Sequence, residues 1–299
     1  MKKNNYNYVK FGLTVWLSLL LAVLVSPASA ALTKGIYLTQ ETLEDTTYLK
    51  YLIKHAKASG INTFIIDMEI PSKRYQQNIA LVKENDIKYV ARITVFPGGG
   101  TPSQIDSMAH REKKYNLIKA ALGYGANEIQ LDYIRYNTKQ PASSQHAVNI
   151  NKIIQWYKDR LVAQKIPLQV DIFGIASFGE EKHIGHNIKL FSSTVDAICP
   201  MVYPSHYSPF PKHFATPYQT VYDSLVAIQD QFDDEMPVKL YPYIELSNYH
   251  YPLSHEKKVK YIYAQIQAVQ DAGADGWYAW SPNNYYDTLF NVLETHSVK

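Results

Sequence analysis

The sequence is short of cysteine, of long apolar runs and of any glycine signature for a phosphate. Cys199 is the only cysteine in 299 residues, so an internal disulfide is excluded, although an exported chain could have used one. Its apolar neighbours, Ala197-Ile-Cys-Pro-Met-Val-Tyr203, mark a buried, inert thiol rather than a nucleophile. No G-x-G-x-x-G follows the first strand candidate, where "GIYLTQETLED" stands, so a dinucleotide-binding open sheet is not signalled. Pro97-Gly-Gly-Gly-Thr-Pro102 has glycines but lacks the Lys-Ser/Thr of a phosphate-cradling loop. "GIASFG" is not the G-x-S-x-G of a serine nucleophile. His183, His186, His206, His213, His250 and His255 form no HxxxH or H-x-H beside carboxylates, so neither a metal nor another cofactor is expected. His183 and His186 are three residues apart and are expected on one helical face, in a solvated or capping role.

Long apolar stretches are also missing after the first thirty residues, and this bears on export. Lys2, Lys3 and Lys10 precede the apolar run Phe11 to Val25, and Ser26-Pro-Ala-Ser-Ala30 ends in an A-x-A pattern. These are the three regions of a secretory signal peptide, with cleavage expected after Ala30. The alternative, an uncleaved anchor, has an apolar run shorter than the roughly 18–20 residues that span a bilayer. The reading is therefore an exported protein, periplasmic or extracellular, with no stable membrane span once residues 1–30 are removed. Setting aside the three leader lysines, the 30 basic residues fall to equality with the 27 acidic ones. That balance points to neither nucleic acid nor an anionic surface as partner.

From residue 31 to 299, short β-branched or aromatic runs alternate with segments of helical period. Strands are expected at Gly35–Thr39, Thr63–Met68, Tyr89–Phe96, Glu128–Ile134, Leu168–Gly174, Ala197–Tyr203, Val238–Glu245 and Gly276–Ser281. Helices are expected at Thr46–Ser59, Gln76–Glu84, Asp106–Leu122, Ser144–Gln164, Lys182–Ser192, Pro217–Asp230, Glu256–Ala272 and Asp287–Thr295. A strand followed each time by a helix describes a single-domain (β/α)8 TIM barrel, for which about 250 residues is ordinary. The two longest irregular stretches, Tyr203–Thr216 and Leu246–Ser254, follow strands and so belong to the catalytic face of such a barrel.

Strands of a parallel barrel are buried on both sides, so a charge within one is costly unless it emerges at the carboxyl end. Asp67 and Glu69 end the second expected strand, Arg92 sits inside the third, Asp132 and Arg135 end the fourth, Asp171 lies in the fifth and Glu245 closes the seventh. Acids gathered from several strands suit glycosidic-bond cleavage, in which one carboxyl protonates the leaving oxygen while another acts as nucleophile or base. Asp132 and Glu245, on opposite sides of the mouth, would face each other across a sugar. Arg92 and Arg135 would orient a carboxylate, and an ion pair of Arg92 with Asp67 or Asp132 could equally be structural. The 25 tyrosines, many of them after strands, add rings whose faces suit the C–H side of a pyranose. Trp277 and Tyr278 must point to opposite sides of the last strand, so at least one of them packs against helices.

These stretches resemble a known family. "EIQLDYIRY" at 128–136, "DIFG" at 171–174, "PMVYPSHY" at 200–207 and "GWYAWSPNNYY" at 276–286 are similar to a glycosyl hydrolase family long catalogued as a domain of unknown function. "FIIDM" at 64–68, "ARITVF" at 91–96 and "TPYQTV" at 216–221 extend the similarity. The resemblance implies a TIM barrel related to glycoside hydrolases, with Asp132, Arg135, Tyr203, His206, Trp280 and Asn284 on motif positions. One segment departs from it. Where the family has a P-W-L-Q-D-F-like run, this chain has "PYIELS" at 242–247, so Glu245 replaces a glutamine and Leu246 an aspartate.

Three readings of the acids remain open at this stage. Glu245 is the acid/base opposite Asp132; or Asp132 works with Asp171 while Glu245 only binds; or catalysis has been lost and the barrel is a non-catalytic glycan-binding or envelope-associated protein. The leading expectation is an exported glycoside hydrolase acting on a polysaccharide or cell-envelope glycan. Asp132, Glu245 and Asp171 would be catalytic, and Asp67, Arg92, Arg135, Tyr203, His206, Trp280 and Asn284 would bind substrate. Oligomeric state is not legible.

Overall fold

Strand residues alternate between two sets of neighbours, and a computed structural model, which describes Met1, residues 32–232 and residues 235–296, sorts them onto two surfaces. Apart from Met1, the expected leader lies outside the described residues. Within the unit Leu32–Lys299, the strands are β1 (Thr33–Leu38), β2 (Thr63–Asp67), β3 (Lys88–Thr94), β4 (Glu128–Asp132), β5 (Leu168–Phe173), β6 (Ala197–Met201), β7 (Lys239–Leu240), β8 (Tyr243–Glu245) and β9 (Gly276–Trp280). All pairings are parallel, and β5–β6 pairing joins the run from β1 to β5 with that from β6 to β9. The result is a closed (β/α)8 TIM barrel. The seventh stave is split, because Pro242 has no N–H to give the ladder. β7 and β8 both pair with β6, through Ala197 with Lys239 and Met201 with Tyr243.

Alternation decides which side chains face the helices. Ile36, Phe64, Ile66, Ala91, Ile129, Leu131, Val170, Ile198, Ile244 and Trp277 join the large core between strands and helices. Tyr37, Ile65, Val90, Cys199, Tyr203, Tyr243 and Tyr278 form a separate cluster inside the barrel. Trp277 and Tyr278 thus part as strand geometry requires. The interior is polar at its lower level but satisfied: Gln130 Nε2 donates to Gln169 Oε1 (3.0 Å), Tyr243 OH to Gln130 Oε1 (2.8 Å), and Gln169 Nε2 to the Tyr278 hydroxyl (3.1 Å). A buried amide layer without such partners would cost about 1–3 kcal/mol per orphaned group. Gly35 makes room for it, since a Cβ there would lie 2.6 Å from the Tyr278 ring.

The helices begin where side-chain caps are available. Asp45 accepts from the Thr47 and Tyr48 amides at the start of Thr46–Ala58, Ser72 from Tyr75 before Lys73–Glu84, and Ser143 from Gln145 before Ser144–Leu161. One expected helix is corrected. Lys182–Ser192 is mostly a turn, because Gly185 adopts φ +75° and Glu181 bridges His186 in antiparallel fashion; only Ile188–Phe191 is helical, capped by Asn187. His183 and His186 therefore do not share a helical face. Burial pushes the His186 imidazole down to about 4, and its Nδ1 accepts the Phe173 amide at 3.2 Å. Among the described residues no helix is long and apolar enough to cross a membrane.

Candidate active site

Three aspartates and one arginine meet at the carboxyl ends of β2 to β5. The register sets Asp67 beside Arg92 and Thr94 beside Asp132, and all three aspartates follow the inward alternation. Arg92 Nη1 is ion-paired to Asp67 Oδ1 and Nη2 to Asp132 Oδ2, and Nε lies 3.6 Å from Asp171 Oδ2. A rigid planar fork is what lets one cation serve three acids. Asp67 is further fixed by the Tyr37 hydroxyl, which donates to Oδ2 at 2.5 Å. Asp132 Oδ1 accepts the Tyr133 amide. Tyr133 has φ +49°, a left-handed conformation uncommon for a bulky residue, and it turns the end of β4 so that its amide points back at the carboxylate.

Asp171 differs from its neighbours in being incompletely matched. It is 2% exposed, and Oδ1 has no hydrogen-bond partner. Burial, then the adjacent charge of Asp132, pushes its carboxyl well above the usual carboxylate range, against the pull of Arg92. Leu131 pairs with Val170, so Asp132 and Asp171 are the next residues along two neighbouring strands, which run about 4.8 Å apart. Two carboxyl groups this close, one ion-paired and one pushed up by burial and by its charged neighbour, can divide between them the parts of nucleophile and acid.

A cavity of about 190 Å³ opens over this cluster. Arg92, Asp132 and Asp171 form its polar floor, while Tyr37, Tyr133, Phe173, Met201, Tyr203, His206, Tyr243 and Trp280 form its walls. Tyr203 and Trp280 stack with ring centroids 5.3 Å apart, and His206 meets Tyr203 edge-on at 5.2 Å. Apolar ring faces around a few convergent polar groups suit a sugar, which has an apolar C–H face and a rim of hydroxyls. Tyr37, Phe173 and Met201 were not anticipated here. The signal was present: Tyr37 lies two residues beyond Gly35 and Phe173 two beyond Asp171, so period two sends both inward.

Of the residues expected at the site, Asp132, Asp171, Arg92, Tyr203, His206 and Trp280 line this cavity, and Asp67 supports it through Arg92. Three others lie elsewhere. Arg135 makes no ion pair with the aspartates; its guanidinium packs over the Tyr133 and Phe173 rings, at 5.5 and 5.0 Å, and donates to the Tyr136 carbonyl. Asn284, at φ +53°, accepts the Thr39 amide (2.8 Å) and donates to the Ser281 carbonyl, tying the loops after β1 and β9. Glu245 is 1% exposed and turns away from the cavity, accepting from the Ser205 amide, the Ser205 hydroxyl and the Tyr261 hydroxyl.

A larger, open depression of about 700 Å³ lies at the opposite end of the strands and includes Asp196, Lys239 and Asp275. Asp196 and Asp275 are already occupied. Asp196 pairs with Lys158 and accepts the Leu168 amide, and Asp275 pairs with Lys239 and accepts the Leu240 amide. They pin the starts of β5 and β7, a stabilising task usual for that face of the barrel.

Solved structures share this barrel. The spore cortex-lytic enzyme SleL of Bacillus megaterium QM B1551 superposes with a TM-score of 0.62 at 12% identity, covering 89% of this chain and 75% of that one. A chitinase from Chromobacterium violaceum ATCC 12472 gives 0.61 at 11% identity, covering 90% and 100%, and an endo-1,4-beta-mannanase from Rhizomucor miehei gives 0.65 at 12%, covering 90% and 95%. At such identities the likeness concerns the barrel itself. No curated protein sequence matches the chain. The family model described as "Putative glycosyl hydrolase domain" matches residues 100–286, well over half of the chain and the part that holds Asp132, Asp171, Tyr203 and Trp280, and the chain belongs to that glycosyl hydrolase family.

Proposed function

We propose that the protein is an exported glycoside hydrolase that cleaves a polysaccharide or cell-envelope glycan with Asp132 as nucleophile and Asp171 as acid/base. The observation that carries this reading is the unpartnered, buried Oδ1 of Asp171, beside an ion-paired Asp132 on the floor of an aromatic-walled cavity. Neighbouring in-register carboxyls favour the separation of about 5–5.5 Å used by retaining enzymes over the 6.5–9.5 Å that leaves room for water in inverting ones. The lysine-flanked apolar leader supports export, and balanced charge argues against nucleic acid as partner.

In the first step Asp171 gives its proton to the glycosidic oxygen while an Asp132 oxygen attacks the anomeric carbon. Asp132 thereby loses its negative charge as an ester, and Asp171 gains one as a carboxylate. Arg92 reaches both, so the charge moves between two partners of the same guanidinium and stays compensated throughout. Loss of the Asp132 charge also removes one of the causes that raise the Asp171 carboxyl, leaving burial and Asp67. Asp171 is then the base that takes a proton from water, which attacks the anomeric carbon and releases Asp132. Trp280 and Tyr203 would bear on the sugar face.

Reducing-end release from chitin, mannan, peptidoglycan and bacterial exopolysaccharides tests the reading. New reducing ends from one glycan class would support it and name the substrate. Saturable binding to one of these glycans without release would instead favour a non-catalytic glycan-binding barrel.

A further inference from the structure

We propose that Glu245 is a positioning residue: it fixes the Tyr203–Tyr207 loop through Ser205, and so sets the wall of the sugar cavity, an assignment of role that rests on the glycosidase reading. Both Glu245 oxygens are engaged. Oε1 accepts the Ser205 amide at 2.9 Å and the Tyr261 hydroxyl, and Oε2 accepts the Ser205 hydroxyl at 2.5 Å. A carboxylate holding three donors inside the protein cannot also reach a glycosidic oxygen. Its position is fixed in turn by Gln265, which accepts the Glu245 amide (3.1 Å) and donates to the Glu245 carbonyl (2.9 Å).

What this clamp holds is the far wall of the cavity. Ser205 lies between Tyr203 and His206, which both line it, and Glu245 pairs in register with Trp280, the partner on which Tyr203 stacks. Moving Ser205 therefore displaces the aromatic surface without touching the floor of Arg92, Asp132 and Asp171. The three donors are aimed at an ionised acceptor, and charge-assisted hydrogen bonds of this kind are about twice as strong as neutral ones. Burial pushes the Glu245 carboxyl up to about 7, against the pull of the Ser205 and Tyr261 donors. The titratable groups that face it are the phenols of Tyr261, from the helix His255–Asp271, and Tyr203, from the loop; both are raised and neutral. Above neutrality the clamp is closed, and protonation below it sets an O–H against one of the donors.

The test compares the parent with Glu245→Gln and, as a milder change that keeps the carboxylate, Ser205→Ala. Hydrogen exchange of the 203–207 segment needs no ligand. The parent's protection factor should fall between pH 8 and pH 5.5, whereas that of Glu245→Gln should start lower and stay level. On a cleaved glycan, Glu245→Gln should raise KM roughly tenfold with kcat within about threefold, the size expected for losing one charge-assisted hydrogen bond. Ser205→Ala should shift both readouts in the same direction by less. Unchanged protection together with a kcat loss of about a hundredfold or more and a steady KM would overturn the proposal and make Glu245 the proton donor. If the parent cleaves nothing, the glycosidase reading fails alone, and the exchange measurement still decides whether Glu245 holds the loop.

Discussion

Replacing Asp171 by asparagine should remove turnover and flatten the dependence of stability on pH. The carboxyl is raised well above its usual range by burial and by Asp132. A group of that kind contributes stability that is complete below its unfolded value of about 3.9 and is lost as pH rises toward the folded value. The loss proceeds at up to about 1.4 kcal/mol per pH unit, because each unit multiplies the ratio of ionised to protonated carboxyl in the unfolded chain by ten. Between pH 4 and pH 6 the parent should therefore lose up to roughly 3 kcal/mol that Asp171→Asn keeps. At about 2–4 °C per kcal/mol for a domain somewhat smaller than this one, the difference between the two melting temperatures should change by around 6–12 °C over that interval. The offset at pH 4 is set by the amide's own hydrogen bonding, so the slope carries the prediction. Thermal melts followed by circular dichroism at several pH values give the slope, and glycan cleavage on the same samples should fall by about 10²–10⁴. Parallel melting curves for the two proteins would refute the assignment of a protonated, buried acid at 171.

Other outcomes follow from single contacts. Trp280→Ala should raise KM by about 2- to 10-fold with little change in folding, since an aromatic pair is worth about 0.5–1.5 kcal/mol beyond its buried area; steady-state kinetics on the cleaved glycan checks it. Gly276→Ala would set a Cβ 2.1 Å from the Thr33 carbonyl oxygen, at the β1–β9 seam. It should cost about 1–3 kcal/mol in urea unfolding, as other overpacked sites do. Cys199 is fully buried, and burial pushes its thiol well up, so an aromatic disulfide reagent should leave it unmodified in the native protein and react fully in denaturant.

Much of this molecule was legible because a parallel barrel repeats one grammar. Each stave pairs an outward apolar set with an inward set, so β-branched runs such as Phe64-Ile-Ile66 announced strands, and the charges in or at the ends of five of the eight runs announced the face. Asp132 and Asp171 were placed at the mouth by their strands, and both line the cavity. What failed was anything governed by local backbone geometry. Lys182–Ser192 has helical spacing in Ile184, Ile188 and Phe191, but a left-handed Gly185 turns the chain before a helix can run. Glu245 stands at a strand end like the other acids, yet the donors of Ser205 and Tyr261 hold its carboxylate away from the cavity. Arg135 reads as a partner for an acid, whereas the turn at Tyr133 places it against two rings. The inward course of Tyr37 was there to be read, but the expected strand Gly35–Thr39 carries no charge and it did not stand out.

The most direct trial of the central claim is glycan cleavage by the parent and by Asp132→Asn, followed as new reducing ends beside binding of the same glycan. The account predicts that the parent releases reducing ends while Asp132→Asn binds with similar affinity and releases none. Release by Asp132→Asn at a rate close to the parent's would contradict it.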